Sequence, residues 1–258
     1  MLDTVMFRTR KNQQAEPAPA LPDDVVVIVD RAVNPYLVLF HEPAGFMAEQ
    51  VRGLRNRLLA MNPDGEPKTL VVASAVRGEG RTVTALNLAM AFSELDRNET
   101  CIIDADLRRP SCEQYLNLNP QVGISDVLLG TVSIDKALRD VGQRNLKLLS
   151  AGTQTASPAD VLGTSRIDEL FARLKERFQY VVIDTPPVLS CTDAGVLAAR
   201  ADGALVVLRL EHSLKGQSRE AVRSLQNLGT NVLGSFVCEL RGQDPGSNPR
   251  LSYGEPEA

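Results

Sequence analysis

Tryptophan is absent from this 258-residue sequence, and aromatic residues make up only 4% of it. Bases would find few rings to stack on, which argues against a single-stranded nucleic-acid platform. Neither sign of charge dominates, and the formal net charge is -4. That balance lacks the basic footprint of a nucleic-acid binder, and no nucleic-acid partner is expected. Only two histidines, His41 and His212, are present, with four scattered cysteines. Cys101, Cys112, Cys191 and Cys238 lack metal-site spacing, so no zinc cluster is expected. Such usage fits a reducing cytoplasm. Cys101 and Cys238 stand in apolar runs and read as small buried hydrophobes. Long apolar runs are missing too. Val25 to Val29 and Tyr36 to Phe40 fall far short of the ~20 residues of a membrane span. Arg8, Arg10 and Lys11 have no apolar core after them, so the N-terminus does not read as a secretory signal.

What is there suits one large α/β domain. Hydrophobic content of 43% and charged content of 23% are ordinary for a globular chain. Apolar strand-like runs alternate with helical segments, which predicts a doubly wound, mostly parallel sheet. Residues 1–23 are polar and proline-rich and read as a mobile arm. Residues 24–240 read as the domain, with Val25 to Val29 as a short peripheral strand. Residues 241–258 read as a loose tail. Helices are expected over 46–60, 123–130, 133–139, 160–178, 192–201 and 214–228. The first carries an apolar stripe, Met47, Val51, Leu54 and Leu58, with Glu49, Arg52 and Arg55 on the other side. That trio reads either as a solvated face with local ion pairs or as a contact surface for a neighbouring subunit.

One stretch organises the rest: Ala75-Val76-Arg77-Gly78-Glu79-Gly80-Arg81-Thr82, after the strand Leu70 to Ser74 and before a helix that starts near Val83. Strand, glycine-rich turn and helix form the layout of a phosphate-binding loop. Its backbone N–H groups and the helix N-terminus hold a polyphosphate. The residues from Ala75 to Val83 are thus the candidate nucleotide contacts, and Thr82 stands where a hydroxyl ligates Mg²⁺. Two apolar strands then end in aspartate: Cys101-Ile102-Ile103-Asp104-Ala105-Asp106 and Tyr180-Val181-Val182-Ile183-Asp184. Ligands gather at the carboxyl ends of parallel strands, where such carboxylates handle metal and protons. A polar strand end that caps the next turn is the plainer reading of Asp104 and Asp106.

Taken in order, these motifs resemble the bacterial tyrosine kinases (BY-kinases) of capsular and exopolysaccharide biosynthesis, of the CpsD/CapB type. The resemblance runs from Glu49 to Leu240. Ala75 to Thr82 resembles the first phosphate motif, Ile102 to Arg108 the second, and Val182-Ile183-Asp184-Thr185-Pro186-Pro187 the third, with Asp193 beyond. Glu49, Arg52 and Arg55 match the E-x-x-R-x-x-R spacing used there for ring-like self-association. The resemblance implies a P-loop fold of the BY-kinase/MinD-like type, ATP and Mg²⁺, and phosphoryl transfer to a tyrosine hydroxyl. It assigns Asp104 as base, and Thr82, Asp106 and Asp184 to the metal. It also implies a cytoplasmic protein activated by the tail of a separate, membrane-bound chain-length regulator.

Two positions depart from that pattern. The lysine expected after the second glycine is Arg81. A guanidinium is larger and planar, so the exchange is not conservative. Displacements of ~1 Å in such a site cost ~100-fold in rate. Arginine keeps the charge and chelates phosphate bidentately, so a catalyst and a nucleotide-binding scaffold are both consistent with it. The tail, in turn, offers a single tyrosine, Tyr253, instead of a cluster. It is the one tail site open to trans-phosphorylation, and the alternative is a different acceptor protein. A ParA- or MinD-type ATPase is the lesser alternative. The signature lysine of that type is replaced here by Val76, with Arg77 next to it.

Overall fold

Seven strands lie side by side in the order β3-β4-β2-β5-β1-β6-β7. They are β1 Lys68–Ser74, β2 Thr100–Asp104, β3 Leu138–Asp140, β4 Leu146–Leu149, β5 Tyr180–Asp184, β6 Gly203–Arg209 and β7 Val232–Cys238. Every pairing is parallel except β3 with β4. The computed structural model describes residues 33–96 and 99–238. The expected strand at Val25 to Val29, the arm and the tail with Tyr253 lie outside the described residues. β2 and β5 are buried along their whole length. That is why they read as continuous apolar runs and not as alternating ones.

Ten helices cover the two faces among the described residues: α1 Val38–His41, α2 Phe46–Ala60, α3 Arg81–Ser93, α4 Cys112–Tyr115, α5 Ile124–Leu129, α6 Ile134–Ala137, α7 Pro158–Gly163, α8 Arg166–Lys175, α9 Asp193–Ala198 and α10 Lys215–Asn227. All thirteen residues of α3 are buried. A helix buried on every side is sandwiched, and α3 lies between the sheet and α1 and α2. Phe92 near its end stacks on Tyr180 of β5, ring centroids 4.0 Å apart. Asn87 ties it to the preceding segment: its Nδ2 donates to Tyr36 O at 2.9 Å and its Oδ1 accepts from Leu39 N at 3.3 Å.

The doubly wound sheet is as expected from the sequence, with local differences. In α2 the buried stripe is Ala48, Val51, Leu54 and Leu58, whereas Met47 is 44% exposed. The single helix expected over 160–178 is two. Thr164 is extended between α7 and α8, and its hydroxyl donates to Val161 O at 3.0 Å, closing the first helix. The apolar period survives in the second, where Ile167, Leu170, Phe171 and Leu174 are buried. The helix expected over 133–139 stops at Ala137. Leu138 to Asp140 instead pair with β4 as an antiparallel edge. Short segments of this kind are decided by which partner strand is in reach.

Candidate active site

β2, β5 and β1 are neighbours, so their carboxyl ends converge. Asp104 and Asp184 stand directly opposite each other in register at the last position of β2 and β5. Ser74 ends β1 beside them. The loop from Ala75 to Gly80 turns over this point, with Gly78 and Gly80 at φ 80° and 83°. Both positions need a left-handed backbone, which glycine adopts without steric cost. A cavity of about 340 Å³ opens above, walled by Gly78, Gly80, Arg81, Thr82, Asp106 and Arg109.

The loop is braced from below and from one side. Glu79 is 1% exposed. Its carboxylate accepts from Val76 N at 2.9 Å and from the Ser213 hydroxyl. The Val76 amide and the Glu79 side chain, both expected at the nucleotide, are therefore spent on holding the loop. Arg209 Nη1 donates to Gly78 O at 3.1 Å, and His212 Nε2 lies 3.1 Å from Arg77 O. Cys238, expected to be buried, is only half-buried, with Sγ 3.3 Å from Glu79 O. This brace comes from the end of β6, the turn after it and the end of β7, which the sequence reading did not connect to the loop.

Arg81 does not reach into the cavity as a free cation. Arg81 is 9% exposed. Nε donates to Asp184 Oδ1 at 2.8 Å and Nη2 to Asp106 Oδ2 at 3.1 Å. Burial works against that charge, but Asp184 and Asp106 outweigh it and hold the guanidinium above its ordinary pKa. The remaining oxygens are also taken. Thr82 Oγ1 donates to Asp184 Oδ2 at 2.7 Å, and Arg109 N to Asp106 Oδ1 at 3.1 Å. Thr82, Asp106 and Asp184 are thus brought together as expected for a Mg²⁺ site, and hard oxygen donors suit that ion. As arranged they do not fit it, because the guanidinium stands between the carboxylates.

Asp104 caps the turn that follows β2, as its plainer reading expected. Its Oδ2 accepts from Ser111 N and Cys112 N, each at 2.8 Å, at the start of α4. Its Oδ1 accepts from Asp106 N at 3.2 Å. Burial pushes its pKa up to about 7; the Asp184 charge adds to the rise, and the Cys112 and Ser111 amides oppose it. A carboxyl poised near neutrality is suited to proton transfer. Cys112 was not singled out in the sequence. It is buried with Sγ 3.9 Å from Asp184 Oδ2, and burial beside Asp104 and Asp184 holds its thiol neutral. Asp104, Cys112 and Asp184 lie close enough to share an ion. The thiol makes that set a poor match for Mg²⁺.

A model of the AAA domain family matches residues 67–232. The tyrosine-protein kinase YwqD of Bacillus subtilis (strain 168) is 30% identical over 201 residues, which cover 78% of this chain and 84% of that one. The chain belongs to the bacterial tyrosine-kinase family. A putative tyrosine-protein kinase in the cps region of Klebsiella pneumoniae is 29% identical over 206 residues, 80% of this chain but only 28% of that longer one. The kinase domain of Escherichia coli tyrosine kinase ETK superposes with a TM-score of 0.77 at 24% identity, covering 84% of both chains. The P-loop fold of the BY-kinase/MinD-like type is therefore as expected. ATP and Mg²⁺ are ligands of that fold. Cobyrinic acid a,c-diamide synthase from Mycobacterium smegmatis, solved with an ATP analog and magnesium, matches at TM-score 0.56 and 25% identity, covering 66% of this chain and 74% of that one.

Within this kinase fold, two further features were legible only in part. Arg108 clamps Asp193 through Nε at 2.8 Å and Nη2 at 3.2 Å, tying the second motif to the residue beyond the third. The trio on α2 is gathered by Glu94, which the sequence reading missed. Arg52 pairs with Glu49 and Glu94, each at 2.5 Å, and the buried Arg55 pairs with Glu94 at 3.1 Å and donates to Ala91 O at 2.9 Å. Only the Glu49 side chain is largely exposed, at 62%. No helix among the described residues is long and apolar enough to cross a membrane.

Proposed function

We propose that this kinase transfers the γ-phosphoryl group of ATP to tyrosine, with Tyr253 of its own tail as acceptor, and so regulates polysaccharide polymerisation or export. The observation that carries the reading is the pairing of Asp104 with Asp184 beneath the phosphate loop, Asp104 near neutrality. The loop amides and the N-terminus of α3 receive the phosphates. Asp104 accepts the tyrosine hydroxyl proton as the oxygen bonds to phosphorus and ADP leaves, and positioning supplies most of the remaining acceleration. Incubating the full chain with ATP and Mg²⁺ is expected to place phosphate on Tyr253, and Tyr253→Phe to remove it. Absence of phosphotyrosine by mass spectrometry, even with an activating partner added, would end this reading.

The partner is a membrane-bound chain-length regulator acting through its cytoplasmic tail. What supports this is the family to which the chain belongs, whose resemblance implies an activator of that kind. Such a partner would hold this kinase at the cytoplasmic face of the membrane. Self-association in a ring would run through α2, with the exposed Glu49 as the outward group and Arg52 and Arg55 holding the helix to Glu94. Glu49→Lys is then expected to shift an oligomer to monomer by light scattering without lowering the melting temperature. An unchanged oligomer would remove α2 from the interface. One observation favours a second reading, a nucleotide-binding scaffold. The Arg81 guanidinium occupies the carboxylates that the reaction needs free. A large gain in turnover in Arg81→Lys would identify the native chain as that attenuated form.

A further inference from the structure

We propose that the loop takes its nucleotide free of divalent metal, with the Arg81 guanidinium standing in the metal's place between Asp106 and Asp184. This rests on the nucleotide-binding reading above and concerns the form of the ligand. All four carboxylate oxygens of Asp106 and Asp184 already accept a hydrogen bond, two of them from the one guanidinium. The Thr82 hydroxyl spends its proton on Asp184. A divalent cation therefore meets carboxylate oxygens that are each already hydrogen-bonded, with a guanidinium standing between them.

The planar fork explains why arginine and not lysine does this. Nε and Nη2 reach two different carboxylates at once, which a point-like ammonium cannot do in the same geometry. The phosphates do not lack positive charge either. Arg77, Arg109 and Arg209 also line the cavity. With the helix N-terminus, they offer the polyphosphate what a metal offers elsewhere.

The test is a titration of the full chain with a fluorescent ADP, in excess EDTA and in excess Mg²⁺. The wild type is expected to change its dissociation constant by less than about threefold, and Arg81→Lys to lose about tenfold or more in EDTA. A wild type that loses about tenfold in EDTA overturns the inference while leaving nucleotide binding intact. No binding under either condition overturns the nucleotide reading itself. Mn²⁺ added to the nucleotide-free wild type, followed by its paramagnetic resonance, is expected to remain free in solution. Uptake of one Mn²⁺ per chain, abolished in Asp184→Asn, would also overturn the inference. This arm needs no folded Arg81→Lys protein.

Discussion

Asp104→Asn is expected to lower phosphoryl transfer by about 100- to 10,000-fold, the contribution of a positioned general base. The effect should fall on kcat, with nucleotide affinity nearly unchanged, because the role proposed for Asp104 is toward the acceptor hydroxyl and not the phosphates. The pH profile separates this from a folding defect. Burial and the Asp184 charge hold Asp104 near pH 7, so the wild-type rate should rise with pH through that value as the carboxyl ionises. The variant should lose this limb. Asparagine also offers one acceptor where Asp104 accepts three N–H groups. A stability loss of about 1–3 kcal/mol should accompany the rate effect. Urea denaturation measures it independently. A variant that keeps more than a tenth of the wild-type rate would remove Asp104 from the chemistry.

Arg81→Met is expected to destabilise the fold by about 3–5 kcal/mol, the usual cost of stripping one partner from a buried ion pair. Methionine fills much of the volume but leaves Asp106 and Asp184 facing each other and Asp104 without a cation. The sign of the pH dependence follows. With the guanidinium gone, the folded carboxylates bind protons more tightly than those of the unfolded chain. Stability is then lost as pH rises from the unfolded carboxylate range, near ~4, toward the raised folded values. It is regained in acid. Urea midpoints in mildly acidic and mildly alkaline buffer should therefore diverge more for the variant than for the wild type. Equal losses at both pH values would mean that packing, not charge, is what Arg81 supplies.

Much of this was legible in the sequence. The alternation of apolar strands and helices set the sheet, and full burial of β2 and β5 followed from their unbroken apolar runs. Asp104, Asp106 and Asp184 were readable as one site because strand ends in a parallel sheet share an edge. Less legible were short elements. The break at Thr164 and the edge strand after Ala137 depend on a hydroxyl bond and a partner strand, which local periodicity does not report. Least legible were the partners of the charged groups. Glu49, Arg52 and Arg55 suggested a surface, yet Glu94, 39 positions beyond Arg55, draws the two arginines into the molecule.

The phosphate loop draws the same boundary. By itself the sequence determined that a strand, a turn with glycines at 78 and 80, and a helix would follow one another, because dihedral preference and apolar period are local properties. It also determined that arginine stands where an ammonium was expected. Only the tertiary structure decided where that guanidinium goes. Its partners lie 25 and 103 positions away. A long cationic side chain settles wherever buried carboxylates outweigh its hydration, and folding alone brings those carboxylates to it.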